Sequence, residues 1–583
     1  MSKFGEKSSS KKVKPVPCQI AKCAVDELDE QGCDGPQQDA GIGYLVFYQP
    51  EDLLTEARKN AQQMANEKYD SDRRKADYVE KRGNVVGVVG SAGIGKTTLA
   101  EKLLELFCKE VESPYVFFVP IKYLDFTRDT TVLRFLVTPC LADWEFDDKE
   151  ADKELLKSIN CSSQVSIVLD GLDEANLTHF HQKVPKINLH DWSRTDVILM
   201  NILAGTLLPK AKKVITSRPG PFQDLHPKYR PRFNVKVLGL NEESQKELSR
   251  QICSNEAMHS KVQERLASNP QIAPLCYIPI YCKMIINYLR KNIDRQMSVM
   301  SSTNIFGETF DECVRSKHVR ENPSSLHEIT KLALNGMVNE KYVFDATNIS
   351  ENHQTILEVF LNIDIDNGIK LKGKIFSSDK KFSFSHALWQ EYFAALNLMF
   401  LCPLDKFNEL LPKFCHSRWD STLTFTFGLK NRVILKKVSR YFLGFSEQDF
   451  DAKWEKILDL IPLCSSRPFV LCGWALESGH SAVVNRVTVA LPSKIYLHGS
   501  ISPIDVVGIS YVLRSDITRP RNIRVGVDVP ATFQSNSLCM LLEATDASVH
   551  KAGSNRDFII CLIFAHNSAS IAFFLSVLSW YSF

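Results

Sequence analysis

Nine consecutive residues, Gly90, Ser91, Ala92, Gly93, Ile94, Gly95, Lys96, Thr97 and Thr98, combine three glycines with a lysine and three hydroxyls. Their spacing is GxxxxGK followed by threonine, between an apolar run at 85–89 and a helix-forming Leu-Ala-Glu-Lys-Leu-Leu-Glu-Leu. The glycines let the backbone wrap tightly, so that successive N–H groups and the helix N-terminus face an anion. Lys96 then supplies a mobile positive charge to β- and γ-phosphates, and the Thr97 hydroxyl is a ligand for Mg²⁺. A glycine turn without a ligand is the bland alternative, and the strand–loop–helix context counts against it.

Two further strand ends carry compatible chemistry. The run 165–169 is apolar and ends in Asp170-Gly171-Leu172-Asp173-Glu174. A carboxylate at the end of a buried strand beside a phosphate loop suits Mg²⁺, which assigns Asp170 as the second metal ligand beside Thr97. Asp173 and Glu174 are then placed to orient or deprotonate a water attacking the γ-phosphate. The run 213–216 ends in Ser217-Arg218-Pro219-Gly220. Arg218 at that strand end can reach a γ-phosphate and respond to its presence.

Positioning these groups requires a layered frame. The runs 85–89, 115–119, 165–169, 213–216 and 234–237 are short, apolar and rich in β-branched or aromatic residues, as buried parallel strands are. Segments long enough for crossover helices separate them, which predicts an α/β fold with a doubly wound parallel sheet. From 241 to 400 the pattern turns helical, with a short β-rich stretch near 370–384, and helical stretches continue around 405–445 and 454–476. A chain of 583 residues exceeds one hydrophobic core. We divide it into a flexible tail (1–40), a helical lead-in (41–82), the nucleotide-binding α/β domain (83–240), a helical domain (241–300), a further domain (301–400), a second helical domain (401–478), a repeat-like region (479–540) and an apolar C-terminal tail (541–583).

Bulk properties exclude some classes. The formal net charge of +3 lacks the basic domain of a dedicated nucleic-acid binder, so no nucleic-acid partner is expected. Sixteen cysteines are scattered singly without a CxxC pair. Free thiols of a reducing compartment account for them better than a zinc site. With a polar start of Met-Ser-Lys, this points to the cytoplasm.

Together the phosphate loop, Asp170-Gly171-Leu172-Asp173-Glu174 and Thr216-Ser217-Arg218-Pro219-Gly220 resemble the NACHT family of STAND NTPases, the switch module of NOD-like receptors. The resemblance extends over residues 83 to about 470. It implies that Pro279, closing the segment 269–279, packs on adenine, and that 301–400 is a winged-helix domain. In the latter, Phe384-Ser385-His386-Ala387-Leu388-Trp389-Gln390-Glu391-Tyr392-Phe393 looks like the signature whose histidine, His386 here, touches the β-phosphate. The implied function is an ATP/ADP-dependent switch with Mg²⁺ and weak ATPase activity. It would open on exchange of ADP for ATP and self-associate, with related NACHT proteins or signalling adaptors as further partners, in innate immune or cell-death signalling.

The ends depart from a full receptor. No death-fold bundle is recognisable before the phosphate loop, and 495–513 resembles one leucine-rich repeat, whereas at least three are usually needed to bury their faces. A protein that holds nucleotide permanently and regulates or scaffolds full-length relatives is therefore the alternative function; a metabolic P-loop kinase is disfavoured by the signature around His386. Residues 558–583 carry no charged side chain apart from the normally neutral His566, and are long enough to span a bilayer. A membrane anchor, a buried capping segment and a terminus outside the native fold all remain open for them.

Overall fold

The structure is a computed structural model and describes residues 43–45, 85–109, 115–137, 149–175, 182–231, 233–237, 239–269, 272–293, 301–316, 324–345, 360–364, 381–492, 494–497, 502–515, 522–526 and 561–563. The tail at 1–40, the helical lead-in apart from 43–45, and all of 558–583 except 561–563 lie outside these residues.

The runs of β-branched residues do form a parallel sheet. Its strands are β1 (Gly43–Leu45), β2 (Val85–Val89), β3 (Tyr115–Pro120), β4 (Val165–Asp170), β5 (Lys212–Ser217) and β6 (Phe233–Val237), in the spatial order β1-β6-β2-β5-β4-β3. Every neighbouring pair is parallel. One correction concerns β1: residues 43–45 belong to the stretch read as helical lead-in, yet they add an edge strand to β6. Three residues are too few to show a period beside the charged helix formers downstream.

Successive strand residues point to opposite faces, and both faces are covered. On one, Val88, Val168 and Val214 join Leu99, Leu103 and Phe107 of α1 (Lys96–Lys109) in one apolar cluster. On the other, Val89, Ile167, Leu169 and Ile215 pack with α2 (Lys149–Cys161) and α3 (Thr195–Leu203). The first cluster runs on without a break into the helices that follow.

Those helices begin where the chain supplies caps. Asn241 accepts from the Ser244 N–H (2.8 Å) ahead of α4 (Glu242–Ile252), and Asn255 from the Met258 N–H (2.8 Å) ahead of α5 (Glu256–Ala267). Pro279 occupies the first turn of α6 (Pro279–Lys291), where its missing N–H has no consequence. Next come α7 (Ser302–Ser316), α8 (Ser324–Asn339), a three-stranded antiparallel sheet of β7 (Val343–Asp345), β8 (Leu361–Asp364) and β9 (Lys381–Phe384), and α9 (Ala387–Phe400). Phe306 of α7 anchors this part: its ring centroid lies 4.6 Å from Trp389, 5.5 Å from Tyr392 and 4.9 Å from Phe425.

The last helical stretch includes α10 (Asp420–Gly428), α11 (Arg432–Ser439), α12 (Glu447–Leu458), α13 (Pro468–Ser478) and α14 (Ser481–Ala490). Buried Glu477 of α13 accepts from the Ser302 and Thr303 N–H groups (2.8 and 3.1 Å), capping α7 from a distant part of the chain. Finally β10 (Lys494–Leu497), α15 (Pro503–Ser515) and β11 (Asn522–Gly526) form a strand–helix–strand unit with parallel strands, and β12 (Cys561–Ile563) pairs with β11. Among the described residues no helix is long and apolar enough to cross a membrane.

One residue of β5 opposes folding. Lys213 is 2% exposed, and its ammonium donates to the Leu207 carbonyl (3.3 Å). Burial pulls its pKa down to about 7. The unfolded chain therefore binds a proton between pH 7 and about 10 that the folded chain does not, so stability rises with pH over that window. Lys213→Met is expected to stabilise the fold at pH 7 by about 2 kcal/mol and to flatten that rise, as thermal denaturation between pH 7 and 10 will show.

Candidate functional site

The loop between β2 and α1 is tied to β5, because the Gly90 N–H donates to the Ser217 carbonyl (3.1 Å). Inside the loop the Ile94 N–H donates to the Ser91 carbonyl (3.4 Å), and the Ile94 side chain plugs the core at 2% exposure. Gly93 and Gly95 have φ of 77° and 99°, a region that side chains oppose. A Cβ on Gly93 would also stand 2.4 Å from Ile280 and 3.2 Å from Leu388. Thus α6, entered through Ile278 and Pro279, and the start of α9 close directly over the loop. Ser91 and Ala92 line the cleft beside it, while Thr97 and Thr98 of α1 are exposed.

Lys96 extends back across the loop, and its ammonium donates to the Gly90 and Ser91 carbonyls (2.9 and 3.1 Å). Burial lowers its pKa; Asp173, Asp170 and Glu174 oppose that shift while Arg218 adds to it. At the end of β4, Asp170 is 7% exposed, and burial raises its pKa. The hydroxyls of Thr97 and Thr216 bond to its carboxylate, Thr216 at 2.6 Å. Carboxylate and hydroxyl oxygens are the hard donors that Mg²⁺ takes, so Asp170 and Thr97 fit that ion.

Asp173 and Glu174 lie in the 3₁₀ turn Leu172–Glu174 and divide the work differently than their adjacency suggests. Asp173 is held by Arg218 twice, accepting from the main-chain N–H (3.1 Å) and pairing with Nε (2.9 Å). Glu174 is pushed up to about 7 by burial, with Asp173 and Asp170 adding to the rise against Lys122 and Arg218. A carboxyl titrating near neutrality is suited to proton transfer, and Glu174 fits that task better than Asp173.

The other end of Arg218 reaches Glu391 of α9 (Nη2–Oε1 2.6 Å), a residue with no exposure. Burial works against this guanidinium's charge, but Glu391 and then Asp173 more than offset it, and its pKa rises. One turn earlier, His386 caps α9, its Nδ1 accepting from the Leu388 N–H (3.0 Å). Burial, then the cations Arg218, Lys96 and Lys122, lower its pKa to about 3. A neutral imidazole accepting at Nδ1 carries its proton on Nε2, and so can donate to a phosphate oxygen.

Three contributors escaped sequence reasoning. Glu391 lies within the quoted signature, but its partner is far away in the chain. Thr216 looks like an ordinary strand residue. Arg418 carries no motif, yet it pairs with Glu340, donates to the Asp173 carbonyl (3.5 Å) and lies over the Tyr342 ring (5.8 Å).

Residues 84–256 match the family model of the NACHT domain. Curated proteins similar to the chain include NACHT, LRR and PYD domains-containing protein 3 of Mus musculus, 26% identical over 330 residues, which are 53% of this chain and 30% of that protein. Protein 12 of the same series from Mus musculus is 23% identical over 330 residues, covering 54% of this chain and 30% of its own length. Protein 10 from Mus musculus is 26% identical over 332 residues, covering 54% and 45%. The chain therefore spans less than half of these relatives. Among solved structures, a STAND protein with a tetratricopeptide repeat sensor from Pyrococcus horikoshii is 13% identical with a TM-score of 0.29, covering 83% of this chain and 65% of that one. The E. coli HORMA:CdnC:Trip13 complex gives 14% and 0.23, covering 43% and 88%.

Glu340 adopts φ 57°, just past the end of α8, where the Lys341 N–H donates to the Gly336 carbonyl (2.8 Å). Glycine is the usual residue at such a helix end. Glu340→Gly is expected to be more stable than Glu340→Ala by about 1 kcal/mol, since both lose the Arg418 pair and only alanine keeps the strain. Equal denaturation midpoints for the two would show that the position is unstrained.

Proposed function

We propose that this chain, which carries a NACHT domain of the NOD-like receptor type, is an ATP/ADP-dependent, Mg²⁺-assisted signalling switch. Its closed form is the arrangement described above, and it opens on exchange of ADP for ATP to self-associate. The observation that carries this reading is the Arg218 guanidinium held between Asp173 and buried Glu391.

The loop amides and Lys96 are suited to hold the phosphates, with Lys96 exchanging its two carbonyl partners for phosphate oxygens. Thr97 and Asp170 are suited to hold Mg²⁺, which when bound neutralises phosphate charge. Pro279 would lie against the adenine. His386, with its proton on Nε2, would donate to the β-phosphate and so fasten α9 over the loop. In this reading Arg218 turns from Glu391 towards a γ-phosphate when one is bound. If Arg218 turns to a γ-phosphate, Glu391 is left charged and buried without its partner, which costs about 3–5 kcal/mol. That differential contact favours movement of α9 away from the sheet. Glu174, as base, would give slow hydrolysis that resets the switch. Partners in this reading are further copies of the chain, related NACHT proteins or signalling adaptors of innate immune or cell-death pathways, in the cytoplasm.

The full-length chain is expected to purify with ADP bound and a Lys96→Ala variant without nucleotide. Retention of nucleotide by Lys96→Ala would remove the phosphate-site assignment. Glu391→Gln keeps the side-chain shape but removes the charge that competes for Arg218. It is expected to release labelled ADP about tenfold faster than wild type, a difference of about 1.4 kcal/mol. Unchanged release would show that the Arg218–Glu391 pair does not hold the closed form.

A further inference from the structure

Asp170 does not hold its position unaided. The hydroxyl of Thr216, on the neighbouring strand, donates to Asp170 Oδ1 (2.6 Å), and the Thr216 hydroxyl oxygen in turn accepts from the Gly171 N–H (2.8 Å). Because the N–H can only donate, the hydroxyl proton of Thr216 is directed at the carboxylate. Thr216 itself has no exposure, and β-branching limits its rotamers. The β4–β5 pairing brings Leu169 opposite Ile215, so the two strand ends carrying Asp170 and Thr216 arrive side by side. The result is a closed set of bonds from the Gly171 main chain through Thr216 to one carboxylate oxygen.

We propose that Thr216 is the positioning residue of the divalent-cation site, fixing the Asp170 carboxylate so that it can ligate Mg²⁺ together with Thr97. The proposal rests on the nucleotide-and-Mg²⁺ reading above and adds a residue to it. Partners that orient a metal ligand without touching the metal typically change metal affinity 10–100-fold when removed. In Thr216→Val the side-chain shape remains, while Asp170 loses one of its two hydroxyl donors, keeping Thr97, and the Gly171 N–H loses its acceptor. Thr216→Ser restores both bonds.

The test is a Mg²⁺ titration of labelled-ADP release from the full-length chain, starting in EDTA, for wild type, Thr216→Val, Thr216→Ala, Thr216→Ser and Asp170→Asn. Release is a binding readout and needs no hydrolysis. The expected result is equal release in EDTA for wild type and the three Thr216 variants. The Mg²⁺ midpoint for slowing release is expected to rise about tenfold in Thr216→Val and Thr216→Ala and to stay within about twofold of wild type in Thr216→Ser. If Asp170→Asn raises the midpoint and neither Val nor Ala does, the role of Thr216 is overturned while the metal site stands. If Asp170→Asn leaves the midpoint unchanged, Asp170 is not a metal ligand and both readings fall. Faster release in EDTA from both the Val and Ala variants would place Thr216 in support of the loop and overturn the proposal equally.

Discussion

A guanidinium shared by two carboxylates is the constraint on which the arrangement around the phosphate loop turns. Arg218 leaves the end of β5 and is gripped by Asp173 from the adjacent turn and by Glu391 from α9. Both carboxylates are largely withdrawn from water, the Asp173 and Glu391 side chains being 11% and 0% exposed. Charges so buried have large desolvation penalties, and each is tolerable only while the others stay in place. The sheet, the 3₁₀ turn and α9 are thereby made interdependent at one atom group.

Around that group the fold supplies rigidity of a less specific kind. The apolar cluster beneath α1 continues through α6 into the aromatic set at Phe306, Trp389 and Tyr392. Aromatic rings at these separations add to simple burial. Arg418 and Glu340 extend the charged belt on the far side of the 3₁₀ turn, so Asp173 is held by Arg218 at its carboxylate and by Arg418 at its carbonyl.

Much of this was legible in the residues. A phosphate loop is a local object: glycines with positive φ, a lysine and a helix N-terminus follow from adjacent positions. Strands β2 to β6 declared themselves through β-branched runs, and only their ends moved, as with Pro120, Asp170 and Ser217. The short strands β7 and β8 did not, because three or four residues carry no period against a helical background. The pairing of Arg218 with Glu391 was hidden for another reason. Glu391 reads as one polar residue in an apolar helix, and which way it faces depends on tertiary packing that no local pattern encodes. Thr216 was passed over because a threonine in a strand needs no function to explain it.

The close seating of Gly93 under Ile280 and Leu388 has a consequence for kinetics. The loop keeps Leu388 dry and covers part of Ile280, so the proposed movement of α9 would wet them further together. Opening is then a first-order event within one chain, whereas re-covering the exposed patch by another chain is second-order. The lifetime of the opened form would depend on how many molecules are nearby, and the same nucleotide exchange would be fleeting in dilute protein and persistent in concentrated protein.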